Sequence, residues 1–439
     1  MTEITSFAQA EAYLLETIDE SVSPRTSYKL DRMRAFLREL GDPHRAYPTV
    51  HVGGTSGKGS TATMIAAALQ AAGKRTALHT KPHLHSMTER ARIDGAPVAR
   101  ERFAELLGAM MPAIERVAPR YGRPTYYETL LALAFEHFAR ERVDAAVIEV
   151  GLGGRLDGTN VIIPAVAAIT SIGYDHTDVL GTTLEAIAFE KAGIAKRGVP
   201  LVVAPVDPAA LAVIERHAAD AGAPVVEVRD VVRVTDGPPD AREQRMSART
   251  ARGEYELRLP VLGLFQRANA ATAIAVLELL PDGLRPTREA VERAFAQLEL
   301  PGRMELFGRN PAVVLDVAHN AEKAALLAAS LREHFPGRRV QYVVAIGESK
   351  DARRILEALA AIPATFTFTT FTATGRTPIA PARLAAMAEA IGSWGRTIDD
   401  PIEALTVARR TAGPGDVVVV TGSTFVVAGL REWYATTAA

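Results

Sequence analysis

The run Gly54-Thr55-Ser56-Gly57-Lys58-Gly59-Ser60 gathers the residue types that grip a phosphate. Glycines let the backbone approach closely, unpaired amides at a helix start point at the anion, the helix dipole favours its charge, and Lys58 adds a cation. The run departs from G-x-x-x-x-G-K-[ST], because it is shorter before Gly57 and Gly59 separates Lys58 from the hydroxyl of Ser60. Its setting therefore carries the reading. Val50 to Val52 reads as the end of a strand, and Ser60 to Ala72 as an alanine-rich helix closed by Gly73. Ser60, or Thr61 beside it, is then placed to hold Mg²⁺. The alternative is a glycine-rich turn with a solvated lysine.

Two further residues could serve a metal. Glu149 ends the apolar run DAAVIEV, where a buried carboxylate needs a metal or an arginine such as Arg155. His176, between Asp175 and Asp178 in GYDHTDVLG, offers either an imidazole ligand or an ordinary hydrogen-bonded histidine. Joined to a phosphate loop, the pair points to a magnesium–nucleotide site. His79, His83 and His85 alternate as metal ligands can, but Lys81 among them argues against it; they are expected to be exposed or to face substrate.

These residues need a scaffold that puts strand ends together. Apolar runs of strand length alternate with helical patterns: PTVHVGG then STATMIAAALQAAG, RVDAAVIEVG, PAVAAITSIG then TLEAIAFEKAG, GVPLVVAP then DPAALAVIERHAADAG. Continuous apolar strands in βαβα order predict an α/β fold with a mostly parallel sheet covered by helices. ARGEYELRLPVLG is expected to add antiparallel strands at its edge. A second series, PAVVLDVAHN, RRVQYVVAIG, ATFTFTTFTA and GDVVVVTGS, predicts a smaller C-terminal α/β, Rossmann-like domain. The boundary is expected near residue 298, giving domains 1–297 and 298–439.

Composition narrows the partners. Among 439 residues, Lys+Arg number 50 and Asp+Glu 51, so no global basic field suggests nucleic acid. The absence of cysteine removes disulfides and thiolate chemistry. The acidic start MTEITSFAQAEAYLLETIDE does not read as a signal peptide, and no apolar stretch approaches ~18 residues. A cytoplasmic protein without membrane partners is expected.

The ordered motifs RMRAFLRELGDPHRAYPTVHVGGTSGKGST, KPHLHSMTERARIDG, PTYYETLLALAF, EVGLGGRLDGTNV, SIGYDHTDVLG, EKAGI, LGLFQRANAATA, LPGRMEL, DVAHN, SKD and VVVVTGS resemble the Mur-ligase superfamily. Within it the chain resembles the folylpolyglutamate synthase/dihydrofolate synthase branch. The resemblance implies a P-loop central domain and an ATP-dependent ligase that phosphorylates a carboxylate and lets L-glutamate attack the acyl phosphate. It implies dihydropteroate, tetrahydrofolate or both as acceptors, ATP as co-substrate and two Mg²⁺ ions; a monomer is expected. Gly57, Lys58, Gly59 and Ser60 match the ATP cradle, with Asn269, Arg303 and Asp316 as further nucleotide positions. Ser60, Glu149 and His176 match metal positions, as does Lys191, which the family carries as a carbamate. Lys58, Lys191 and His319 are the expected catalytic residues. Thr125, Tyr126, Tyr127 and Glu128, with Leu156, Asp157 and Gly158, match substrate positions. Read by themselves, Lys191 is a solvated helix lysine beside Glu190, and the tyrosines are core packing.

The chain also departs from the pattern. Lys81 stands where the family usually has a metal-holding serine, and a charged lysine cannot serve as that ligand; either water or another residue fills that coordination position, or Lys81 contacts phosphate or the substrate carboxylate directly. Phe265 replaces a histidine before Gln266, Ser349 an aspartate, and Ser56 an asparagine. Two alternatives stay open: another Mur-type amino-acid ligase, and a nucleotide-binding homologue without ligation.

Overall fold

The structure, a computed structural model, describes residues 4–17, 30–238, 240–308, 310–373 and 375–437. Part of the N-terminal stretch read above for targeting lies outside them. The chain divides into two compact units: Met1–Thr235 with Ser247–Glu256 and Ala268–Phe295, and Asp236–Met246 with Leu257–Arg267 and Ala296–Ala439.

The first unit is built on eight strands: β1 (Thr49–Gly53), β2 (Thr76–His79), β3 (Arg92–Ile93), β4 (Ala96–Pro97), β5 (Ala145–Glu149), β6 (Val166–Ile169), β7 (Leu201–Val203) and β8 (Val225–Glu227), in the order β4-β3-β2-β5-β1-β6-β7-β8. β1 lies between β5 and β6, parallel to both, with Val52 opposite Glu149 and Val50 opposite Val166. All five β1 residues are buried, as a strand covered on both faces requires. Helix Lys58–Ala71 packs against β1, β2 and β5. Phe36, Phe103, Phe135 and Phe138 fill one apolar layer; Val150, Ile169, Leu201 and Ile214 belong to another. Open sheets of this type bind ligands outside the carboxyl ends of strands where the strand order reverses, which here is the end of β1.

The α/β class with a mostly parallel sheet is as expected, but the antiparallel element is elsewhere. β2–β3 and β3–β4 pair antiparallel at the edge. In a separate three-stranded sheet with β9 (Arg233–Asp236), the segment expected there instead forms β11 (Gly253–Leu259), paired with β10 (Gln244–Thr250). Their alternation of buried and exposed residues marks one-sided strands, and it carries no information about which sheet they join.

The second unit holds β12 (Glu305–Phe307), β13 (Ala312–Leu315), β14 (Val340–Val344), β15 (Ala364–Phe368), β16 (Gly395–Thr397) and β17 (Val417–Thr421), in the order β12-β13-β17-β14-β15-β16. All pairs are parallel except β12–β13. Its core includes stacked rings of Tyr342, Phe366 and Phe368, with successive centroids 5.3 and 5.6 Å apart. No described helix in either unit is long and apolar enough to cross a membrane.

Candidate active site

The phosphate-loop candidate sits directly after β1. Gly57 caps helix Lys58–Ala71 with φ 82°, a left-handed conformation, and any Cβ there would collide with Asn269 Oδ1. Asn269 is thus placed against the loop. The segment after β6 fixes the loop from the other side: Ser171 Oγ accepts from Ser56 N at 2.8 Å, Thr170 Oγ1 donates to Ser56 O at 2.6 Å, and Thr55 Oγ1 accepts from Gly173 N at 3.0 Å. Sequence reasoning missed these hydroxyl residues, although TS at the end of an apolar run next to the loop strand was a usable signal. The buried Ser56 Oγ and Thr61 Oγ1 have no hydrogen-bond partner among the described residues. Ser56 stands in the glycine-rich turn and Thr61 in the first turns of the helix that follows, and an unpaired buried hydroxyl in such a turn suits an incoming polar ligand.

Two lysines converge on one carbonyl. Lys58 Nζ donates to Gly54 O at 2.9 Å and to Thr55 O at 3.1 Å, while Lys191 Nζ donates to the same Gly54 O at 3.0 Å. Lys191 is 4 % exposed, so the solvated helix lysine is not what the fold provides. Both ammonium groups are held below the usual lysine range. Burial is the main cause for Lys58, where Glu149 opposes it and Lys81 reinforces it. Burial also leads for Lys191, followed by the charge of Lys58.

Glu149, at the end of β5, is buried and accepts from Lys81 N at 2.9 Å. A Cβ on Gly59 would stand 3.2 Å from the same carboxylate oxygen, so Glu149 lies against the first turn of the loop helix. Arg155 pairs with Glu190 at 2.7 Å and not with Glu149. Ser60 is buried in that first helical turn. His176 caps a short helix, Thr177–Leu180, with φ 50°, and its side chain is about half exposed beside Asp175. Among the described residues no three His, Cys, Asp or Glu side chains gather as a metal cluster. The alternating histidines diverge: His79 is fully buried with Nδ1 2.7 Å from Arg90 O, His83 Nδ1 accepts from Arg90 Nε at 3.1 Å, and His85 is exposed. The expectation that all three are exposed or substrate-facing fails at His79, whose neighbours on β2 are equally buried.

The substrate candidates divide by role in the fold. Thr125 and Glu128 form a capping box at the start of helix Tyr126–Arg140, and Glu128 is also ion-paired with buried Arg32 at 2.7 Å. Removing one member of a buried pair strands the other charge. Glu128→Ala is therefore expected to lower unfolding free energy in urea by about 3 kcal/mol, whereas a pure substrate contact would leave the urea midpoint unchanged. Tyr126 is buried with the Arg90 guanidinium 5.3 Å from its ring centre. Tyr127 donates to Asp157 Oδ1 at 3.3 Å. Gly158 packs near Leu131 and Tyr127. Leu156 lines a cavity of about 310 Å³ with Leu152, Gly153, Leu180 and Glu190.

The second unit carries its own cluster. Asp316, just after β13, accepts from Met304 N at 2.9 Å and Ala318 N at 2.8 Å. Burial raises its carboxyl pKa, against the lowering effect of Arg303. Arg303 Nη1 is 3.4 Å from Gly302 O. His319 has Nδ1 2.8 Å from Val317 O and Nε2 3.3 Å from Lys323 Nζ. With the imidazole neutral, Nδ1–H donates to the carbonyl and Nε2 accepts from the lysine. Lys323 was not anticipated; its spacing of four from His319, with Asn320 as the cap of helix Ala321–His334, was the available signal.

The chain matches the Mur ligase middle domain over residues 52–277 and the Mur ligase glutamate ligase domain over residues 302–424. The two matches, with the sheet and loop just described, define an ATP-dependent ligase of the Mur type. It is 33% identical over 433 residues to the dihydrofolate synthase/folylpolyglutamate synthase of Bacillus subtilis, covering 98% of this chain and 99% of that one. Its fold is similar to Mycobacterium tuberculosis folylpolyglutamate synthase complexed with ADP, with TM-score 0.89, 31% identity and 99% of each chain covered. It is also similar to E. coli FolC in complex with DHPP and ADP, with TM-score 0.86, 28% identity and all of both chains covered. The chain belongs to the folylpolyglutamate/dihydrofolate synthase family of Mur ligases.

Proposed function

We propose that this chain joins L-glutamate to a pteroate-type acid, accepting both dihydropteroate and tetrahydrofolate. A carboxylate oxygen of the acceptor attacks the γ-phosphorus of ATP, ADP leaves, the glutamate amine attacks the acyl carbon, and phosphate leaves. The observation that carries the reading is the pair of lysines on Gly54 O, Lys191 buried and Lys58 partly buried, in a loop whose Ser56 hydroxyl has no partner among the described residues. Bringing a carboxylate to a triphosphate crowds negative charge, and fixed cations in a dry site offset it better than water does.

Gly57, Lys58, Gly59, Ser60 and Asn269 would bind the nucleotide, Lys58 neutralising charge on the transferred group. Arg303 and Asp316 are proposed nucleotide contacts of the second unit, and His319 a catalytic residue there. Thr125, Tyr126, Tyr127, Glu128, Leu156, Asp157 and Gly158 would shape the acceptor site, and Lys81 would meet its carboxylate or a phosphate. The hard oxygens of Ser60 and Glu149 suit Mg²⁺; with His176 and a carbamate on Lys191 they would hold two ions, which when bound offset phosphate charge. We take 1–297 as the ATP-binding domain, 298–439 as the ligase domain, and the chain as a cytoplasmic monomer.

The test is purified protein with MgATP and L-glutamate, offered dihydropteroate in one tube and tetrahydrofolate in another, with ADP measured and products weighed. A gain of one glutamate in both tubes is expected. ATP binding without any gain in mass would instead favour a nucleotide-binding homologue that does not ligate these acids.

A further inference from the structure

A buried hydrogen-bond chain runs from β1 into the loop that lines the 310 Å³ cavity, and the proposed function assigns no role to its inner members. His51, fully buried on β1, has Nε2 2.9 Å from Thr159 Oγ1. Thr159 Oγ1 donates to Asp157 Oδ1 at 2.6 Å. A hydroxyl has one proton, and an ionised carboxylate can only accept. The Thr159 proton is thus committed to Asp157, and His51 must donate to Thr159 from Nε2–H. This fixes the tautomer, and it leaves His51 Nδ1 as a buried atom with no partner.

Asp157 is the hub. Its Oδ1 also accepts from Thr159 N at 3.0 Å and Tyr127 OH at 3.3 Å, and its Oδ2 accepts from Leu152 N at 2.7 Å. Three of these four donors fall on Oδ1 and one on Oδ2, so Oδ1 is fully engaged and Oδ2 keeps one acceptor site. A Cβ on Gly151 would stand 2.6 Å from both Asp157 Oδ2 and Tyr127 OH, so the turn closes only around a glycine. The loop is tied a second time by Asn160, whose Nδ2 donates to Arg155 O at 2.9 Å and Gly193 O at 3.0 Å while Lys196 Nζ donates to its Oδ1. Both fixtures act on the 152–156 backbone, and Leu152, Arg155 and Leu156 line the cavity.

We propose that His51 and Thr159 are positioning residues for the acceptor acid: through Asp157 they hold Leu152 and the cavity-lining loop in the conformation that receives it. Asp157 acts as the clamp of this loop, each of its oxygens held by at least one protein donor. The chain begins on the strand that continues into the phosphate loop, so one strand sets the position of both loops. The inference rests on the acceptor reading above, and wild-type protein that yields no product would count against that reading alone.

The experiment compares Thr159→Val and Thr159→Ser with wild type, reading steady-state kinetics and amide hydrogen exchange at Leu152. Valine keeps the shape and removes the proton that reaches Asp157. KM for dihydropteroate is expected to rise about tenfold in the valine variant, the effect of one lost charge-assisted hydrogen bond, with KM for ATP unchanged. Leu152 exchange is expected to quicken, and serine is expected to restore both. His51→Gln, which keeps a donor near Nε2, is expected to behave like the serine variant, while His51→Phe, which removes that donor, is expected to raise KM for dihydropteroate and serves as the reading if the valine variant does not fold. Equal rises in both KM values, or unchanged exchange at Leu152 with unchanged kinetics, would overturn the proposal. So would His51→Gln losing acceptor affinity as His51→Phe does.

Discussion

Lys191→Ala is expected to lower glutamate-dependent ADP release by 10²- to 10³-fold, the usual scale for removing one preorganised charge-stabilising group. The reason lies in the lysine pair. Two ammonium groups hydrogen-bonded to one carbonyl oxygen in a buried site repel each other, and burial already disfavours both charges. Burial and then the charge of Lys58 both push the Lys191 ammonium toward its neutral form. A neutral amine can add carbon dioxide, forming the N–C bond and releasing a proton, and the resulting carbamate is an anion beside Lys58 instead of a second cation. Repulsion becomes attraction, and an oxygen donor appears next to the loop. The alanine variant is therefore expected to recover part of its activity in millimolar formate or acetate, and ¹³CO₂ should give a carbamate carbon signal in wild type that the variant lacks. Full activity in the variant without added acid would sink the assignment. Lys58→Ala should lose activity that no small acid restores, because what is missing there is a cation.

Much of this site was legible because its parts lie at the ends of apolar runs. β1, β5 and β6 announce themselves as uninterrupted buried strands, and the loop, Glu149 and the segment carrying His176 follow directly from where those runs stop. What was not legible depends on contacts between distant segments. In EKAGI nothing distinguishes Lys191 from a surface lysine; its burial comes from the fold bringing it under Gly54. Glu149 was weighed against Arg155, but the fold gives Arg155 to Glu190 and gives Glu149 the backbone amide of Lys81. The strands β12 and β16 escaped notice for a different reason. Each is three residues long, Glu-Leu-Phe and Gly-Arg-Thr, too short for a period and partly exposed, so pairing alone makes them strands. Thr125 and Glu128 carry a capping-box spacing that sequence could have shown, but the buried Arg32 partner is visible only in three dimensions.

The histidines make a second large effect, on stability. Burial pulls His51 down to about 3 and His44, His79 and His83 to about 4, and it lowers His137 and His334 as well. An unfolded histidine titrates near 6.5, so between that value and the folded pKa the unfolded chain binds more protons than the native one. The contribution to stability is complete above about pH 6.5 and is lost as pH falls toward 4. At pH 5 a histidine with a folded value of about 4 contributes about 2 kcal/mol less stability than at neutrality, and several such groups together rival the stability of a whole domain. Carboxylates such as Glu89 and Asp416, which burial pushes up but hydrogen bonds and arginines hold low on balance, begin to matter only at about pH 5, at the lower end of this window. Protonation also has a local cost at His334, whose Nε2 accepts from Gly263 N and whose Nδ1 is 2.9 Å from Asp240 O; a charged ring could no longer accept from Gly263. Urea unfolding at pH 7.5 and pH 5.0 is expected to show a fall of several kcal/mol. His79→Asn keeps a donor toward Arg90 O without titrating, so its pH dependence should be shallower by about 2 kcal/mol. A protein equally stable at both pH values would show that these buried rings do not titrate as their surroundings require.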